Sequence, residues 1–256
     1  MRFSGSVSGA TTARHPDRPR PFQDARRRVV RMELTPGVHG LPLQVSMDDR
    51  EATFNATAVE TPQGLLLIDA GLPDTADVLE AALDDEGLRL DDAWGVLVTH
   101  QDPDHAGCLA AVVDRTDAVV FAHETEVPYL EGDRELVKSS AERPLSIDPT
   151  TVDVRLTGGE TFATAAGPME VVATPGHSPG HVSAHFPDAE LLVSADALNV
   201  VDGALVGPRP EVTQDLETAW ESVETLADLA VTQTFCFHGG RVAAGTDRIR
   251  ELVADR

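Results

Sequence analysis

Residues 97–109 read LVTHQDPDHAGCL, and within them His100, Asp102, Asp104 and His105 place two imidazoles and two carboxylates in six positions. The run 95–99 in front of them has the length and apolar character of a buried strand, which puts His100 at the strand's C-terminal end. Asp and Pro are common in turns, so a polar turn would hold some of these residues without any function. Loops beyond strand ends are also where layered α/β proteins place their sites, so the rest of the chain has to decide.

Three further stretches have the same form. VVATPGHSPGHVS sets His177 after a strand, LLVSADAL sets Asp196 after a strand, and TFCFHGG sets His238 after a strand. Four strand ends thus offer seven nitrogen or carboxylate donors, a set that suits zinc and also iron or manganese. Around them, short strand-like runs alternate with helical ones. ATFNATAVETPQGLLLIDAG predicts two strands joined by a tight turn, and TADVLEAALDDEG a helix closed by Gly87. WGVLVT, AVVFA, VDVRL, MEVVAT, VSAHF, LLVSA and QTFCF predict strands; GCLAAVVDR, DLETAWESVETLADLA and TDRIRELVAD predict helices. Strands flanked by helices in both halves predict a mixed α/β fold of two sheets back to back with helices outside.

Taken in order, LLLIDAG, THQDPDH, TPGHSPGH, SAD and FHGG resemble the motifs of the metallo-β-lactamase-fold hydrolases, a group that includes glyoxalase II and lactonases, over residues 35–245. The resemblance implies an αββα sandwich with two divalent metals, zinc foremost, at one edge. It further implies that His100, Asp102 and His177 bind the first metal, that Asp104, His105 and His238 bind the second, and that Asp196 bridges them. Asp69 would orient a ligand from behind, since ligating histidines usually need an acceptor for their other N–H. The implied reaction is attack of a metal-bound hydroxide on a thioester, lactone or related ester of a small metabolite, with Asp104 as the catalytic proton shuttle.

One position departs from that pattern. Most such hydrolases carry histidine where this chain has Asp102. With three aspartates and a hydroxide, two divalent ions form a neutral cluster, one unit less positive than with histidine, so its water should ionise at higher pH. A harder metal would also be favoured, and an iron-dependent oxidoreductase or oxygenase on the same fold is the alternative enzyme. A non-catalytic binding module is the alternative outside enzymes.

The other candidates carry blander expectations. His181 reads as a structural hydrogen-bonding residue beside the site, and His39, His123 and His185 as ordinary strand or loop histidines. Cys236 and Cys108 read as packing residues, and two cysteines are too few for a disulfide framework. Segment 123–149 interrupts the alternation; it holds the only tyrosine, Tyr129, and the only lysine, Lys138. It is either a wall of the substrate pocket, as the resemblance implies, or a plain surface loop with a short helix.

Charge bounds the partners. The net charge is -23 over 256 residues, and an acidic surface repels nucleic acid and anionic membranes, leaving a small molecule as the expected partner. Residues 1–31 run against this trend, with eight arginines against Asp17 and Asp24, which leaves -29 on the remainder. Their Ser, Pro, Gly and Arg content predicts a disordered extension ahead of one hydrolase domain, 32–256; a basic nucleic-acid arm, or translation from Met32, are the other readings. No run approaches the roughly 18 apolar residues of a membrane span, and a cytoplasmic protein of a salt-rich, halophilic cell is expected. Oligomeric state is open.

Overall fold

The computed structural model describes residues 31–47 and 50–256. The first half of the chain builds one sheet of seven strands in sequence order: β1 (Glu33–Thr35), β2 (Val38–Met47), β3 (Arg50–Thr61), β4 (Gly64–Ile68), β5 (Ala93–Val98), β6 (Val119–His123) and β7 (Val154–Leu156). Pairing is antiparallel through β4 and parallel from β4 to β7. The second half builds the other sheet from β8 (Thr161–Thr164), β9 (Gly167–Ala173), β10 (Val182–Phe186) and β11 (Leu191–Ala195). After the small hairpin β12 (Asn199–Val201) and β13 (Ala204–Val206), β14 (Gln233–Cys236) and β15 (Gly240–Val242) complete it, in the order β15-β14-β11-β10-β9-β8.

The central strands explain themselves by being apolar on both faces, as strands covered on two sides must be. Leu65 and Leu67 of β4 point into an outer layer with Leu79 and Leu83 of α1 (Ala76–Glu86), while Leu66 and Ile68 point between the sheets. There they meet Met169, Val171, Phe186 and Phe235 of the second sheet. Val96 and Val98 of β5 likewise face outward and Leu97 inward. On the far side, Leu192 and Cys236 pack against α5 (Leu216–Leu226) and α6 (Thr246–Ala254). The result is the expected αββα sandwich. The outer layer of the first sheet also receives α2 (Pro103–Ala106), α3 (Leu109–Thr116) and α4 (Val127–Leu130).

Leu79 and Leu83 are one helical turn apart, and α1 stops where Gly87 takes a left-handed φ of 81° and returns its N–H to Asp84 O. Strands β1, β2, β8, β12, β13 and β15 escaped the pattern reading because they are short or mix polar and apolar residues. Residues 1–30, read as most of a disordered extension, lie outside the described residues. Among the described residues, no helix is long and apolar enough to cross a membrane.

Candidate metal centre

All seven candidate donors meet where the strand ends of the two sheets face each other. The first sheet supplies His100, Asp102, Asp104 and His105 just beyond β5, and the second supplies His177 after β9, Asp196 after β11 and His238 after β14. His100, Asp102 and His177 form one compact group, Asp104, His105 and His238 a second, and His100, His105 and Asp196 a third, with donor atoms in each within 4.8 Å of one another. Asp196 sits between the first two: its Oδ1 lies 3.4 Å from His105 Nε2, and its Oδ2 lies 3.3 Å from His177 Nε2 and 3.2 Å from His238 Nε2.

Strained backbone aims two of these groups. Asp69 (φ 65°) directly follows β4 and Ala195 (φ 46°) ends β11 just before Asp196, each in the left-handed region. Asp69 thereby turns its buried carboxylate under the THQDPDH loop. It accepts from Thr99 N at 2.8 Å and Thr99 Oγ1 at 2.9 Å, and from His105 Nδ1 at 2.7 Å, which leaves His105 Nε2 facing Asp196. Gly176 (φ 125°) has Ala219 N so close that a Cβ would lie 2.2 Å from it, so the PG before His177 is a close-approach position.

His181 is where the motif reading placed it, as a support. Its Nε2 accepts the Asp196 N–H at 3.1 Å and its Nδ1 faces Thr174 Oγ1 at 2.8 Å, which fixes one neutral tautomer. Burial, with His100 and His177 nearby, holds it well below the ordinary imidazole range. His39 is held between Glu86 and Glu60, His123 Nδ1 accepts from Thr125 N, and His185 donates to Ala230 O, all outside the three groups. Cys236 is buried beside Ser194, its thiol pushed up to about 12 by desolvation, and Cys108 is buried and donates to Leu72 O. Neither is a poised nucleophile.

Two participants were not legible as such. Lys138, from segment 123–149, reaches Asp102 Oδ2 at 2.5 Å and His177 Nε2 at 2.7 Å. Glu126, at the start of α4, is completely buried and accepts four hydrogen bonds. Gln101 N and Nε2 donate to its Oε2 at 3.0 and 2.9 Å, and Ser178 Oγ and Gly180 N each donate to its Oε1 at 2.6 Å. It fastens the loop of His100 and Asp102 to the loop of His177. Segment 123–149 carries the short helix α4 and also walls a cavity beside the donors. Lys138, Arg143 and Leu145 line a cavity of about 330 Å³ together with Asp102, Asp104, His177, Asp196 and His238. Larger surface depressions, about 470 and 600 Å³, contain no histidine or cysteine.

The charged groups of the site shift one another strongly. Burial works against ionisation of Asp102, yet His100, His177 and Lys138 outweigh it and hold the carboxyl far below the usual range. Asp104 and Asp196 are lowered the same way, by His105 and His238 against burial. Burial disfavours the charged form of His105 and His238, but Asp69, Asp196 and Asp104 around the first and Asp104 and Asp196 around the second prevail. His105 is raised well above its ordinary value and His238 to about 9. Both imidazoles therefore carry extra protons at neutral pH that a metal has to displace. Zinc uptake should release protons, and apparent affinity should climb with pH up to at least about 9, where His238 loses its extra proton. Competition against a chelator of known pH dependence measures this; an affinity flat between about pH 6.5 and 9 would contradict the donor role.

The sequence model described as "Metallo-beta-lactamase superfamily" matches residues 54–238, well over half of the chain. The chain belongs to the metallo-β-lactamase superfamily. Among superfamily relatives, the probable metallo-hydrolase YflN of Bacillus subtilis strain 168 is 28% identical over 233 residues, covering 81% of this chain and 85% of that protein. A hydroxyacylglutathione hydrolase of Ruegeria pomeroyi is 29% identical over 174 residues, 66% of this chain and 57% of the relative. A metallo-β-lactamase family protein of Thermus thermophilus superposes with a TM-score of 0.70 at 25% identity, covering 87% of this chain and 80% of that one. Membership in this superfamily of metallo-hydrolases makes the chain hydrolase-like and its His/Asp groups candidates for divalent metal.

Proposed function

We propose that this protein is a dinuclear metal-dependent hydrolase acting on a thioester, lactone or related ester of a small metabolite. His100, Asp102 and His177 would hold one divalent ion, Asp104, His105 and His238 the other, and Asp196 would be shared. The observation that carries this is the state of the buried donors: three of the six buried side-chain polar atoms without a hydrogen bond among the described residues, His100 Nε2, His105 Nε2 and Asp196 Oδ1, converge here, the last two facing each other at 3.4 Å. Buried polar atoms are rarely left so, because each costs about 1–3 kcal/mol of desolvation. The imidazole and carboxylate set fits zinc, and also iron or manganese. When bound, such ions supply Lewis acidity toward a carbonyl oxygen and make water a nucleophile near neutral pH.

The chain's own residues would do the rest. Asp69 fixes His105 through Nδ1, and His181 fixes the backbone N–H of Asp196. Asp104 stands on the cavity wall beside His238 and would receive a proton from the attacking water and pass it to the leaving group. Phe54, Leu72, Leu145 and Val212 offer an apolar surface to an acyl chain. Three of the twelve cationic side chains of residues 32–256, Lys138, Arg143 and Arg209, line this one cavity. Lys138 pairs with Asp102 and Arg209 with Glu211, so among the described residues Arg143 is the one of the three without an ion pair, and it favours a substrate with a carboxylate near the scissile group. The relative named for hydroxyacylglutathione supports an acyl rather than a phosphodiester substrate.

A screen of thioesters, lactones and phosphodiesters with metal quantification tests the reading. Chelator-sensitive acyl hydrolysis is expected, and Arg143→Ala should raise KM for carboxylate-bearing esters by about fivefold or more, leaving neutral esters unchanged, as loss of one charged contact does. Activity indifferent to chelator would overturn it. The alternative favoured by three carboxylates, an iron oxidoreductase, would show as iron in the protein with no acyl hydrolysis.

A further inference from the structure

The two donor groups are not equivalent, because one of them already has a cation. Lys138 Nζ takes Asp102 Oδ2 and His177 Nε2, two of the three atoms assigned above to the first ion. The donors left unsatisfied, His100 Nε2, His105 Nε2 and Asp196 Oδ1, form a compact group of their own.

Lys138 is delivered to this place by the fold. The N–H of its neighbour Val137 donates to Gln101 Oε1 at 2.7 Å, and Gln101 is itself pinned by Glu126, so the backbone beside Lys138 is tied to the loop that carries Asp102. It is the only lysine of the chain, and it pairs with Asp102, the one ligand position that departs from histidine. A carboxylate with an ammonium partner has the net charge of a neutral imidazole, so aspartate and lysine together restore what either alone would disturb. His177 Nε2 has a single lone pair to offer, which a metal would need at about 2.0–2.2 Å, and no ion can take it while the ammonium stands 2.7 Å away. The Lys138 side chain is 19% exposed on the cavity wall, so it has solvent to withdraw into.

We propose that Lys138 and an ion in the first group are alternative occupants of Asp102 Oδ2 and His177 Nε2. The protein then holds one divalent ion tightly and admits a second only when Lys138 swings away. This rests on the donor assignment above, and it makes the two-ion state conditional.

Zinc titration of the metal-free full-length protein, with stoichiometry read by native mass spectrometry and affinity by chelator competition, tests it. Wild type should take one equivalent tightly and a second at least about tenfold more weakly, the scale on which neighbouring groups tune metal affinity. Lys138→Met and Lys138→Gln, which remove the charge, should each tighten the second equivalent by about tenfold or more and leave the first unchanged. Lys138→Arg, which keeps it, should leave the second weak. Two equally tight equivalents in wild type overturn the proposal whether or not the variants fold, and so does a second equivalent indifferent to Lys138→Met and Lys138→Gln. If wild type takes no zinc, iron or manganese, the donor assignment fails and this proposal with it; if it takes metal with the wrong ranking, only this proposal fails.

Discussion

Asp196→Ala is expected to abolish hydrolysis while the fold survives. Among the described residues Asp196 is the one side chain in contact with His105, His177 and His238 together, so on the proposed assignment its loss would remove a donor from either ion. Outer residues that merely orient ligands typically cost about 10–100-fold when changed, so removal of the proposed shared donor should cost more, on the order of a thousandfold in kcat/KM. Zinc content should fall in parallel. Asp196→Asn, with the same shape and one oxygen donor left, should lose activity almost as fully. The check is metal stoichiometry beside far-UV circular dichroism and kcat/KM. A variant with normal metal content, or with activity within about tenfold of wild type, would remove Asp196 from the centre of the site.

Glu126→Ala is the second large effect, and it should appear first in stability. The carboxylate satisfies four donors, two of them backbone N–H groups, with no exposure to water. Orphaning them should cost about 3 kcal/mol, after allowance for the Gln101 and Ser178 side chains finding other partners. In a domain of this size that lowers Tm by about 6–12 °C. Activity should also fall at temperatures where the variant is folded, because the loop of His100 and Asp102 is no longer fastened to the loop of His177. An exposed glutamate, by contrast, changes stability by no more than about 0.5 kcal/mol. Thermal melts together with kcat measured well below Tm separate the two outcomes.

Glu126 marks the boundary of what the sequence makes legible. The strands β4, β5, β6 and β11 could be read because burial on both faces leaves an unbroken apolar run, and the donors because each stands directly after such a run. Order along the chain and chemistry of the side chain coincide there. Glu126 and Lys138 have no such signal. In HETEVPYLEGDRELVK they look like any charged surface residues, and what makes them special is contact with Gln101, Ser178, Asp102 and His177, residues 25 to 52 positions away in sequence. The segment could be flagged for its odd composition, but not assigned. Asp69 was legible only through its motif neighbours, since nothing local reveals that a left-handed backbone turns it under His105. Strands β1 and β2 were hidden for another reason: with His39, Pro42 and Gln44 among their residues, they break the apolar pattern.

The donors after β5 belong to one leaf of the sandwich, and those after β9, β11 and β14 to the other, with no donor common to both. What fixes the gap between the leaves is the apolar filling of Leu66, Ile68, Met169, Phe186 and Phe235. That filling works as a spacer: it sets how far apart the two sets of candidate donors stand. Interiors transmit a change of even one methylene rather than absorbing it. Selection on catalytic tuning in this protein can therefore act on plain hydrocarbon residues buried out of reach of any substrate.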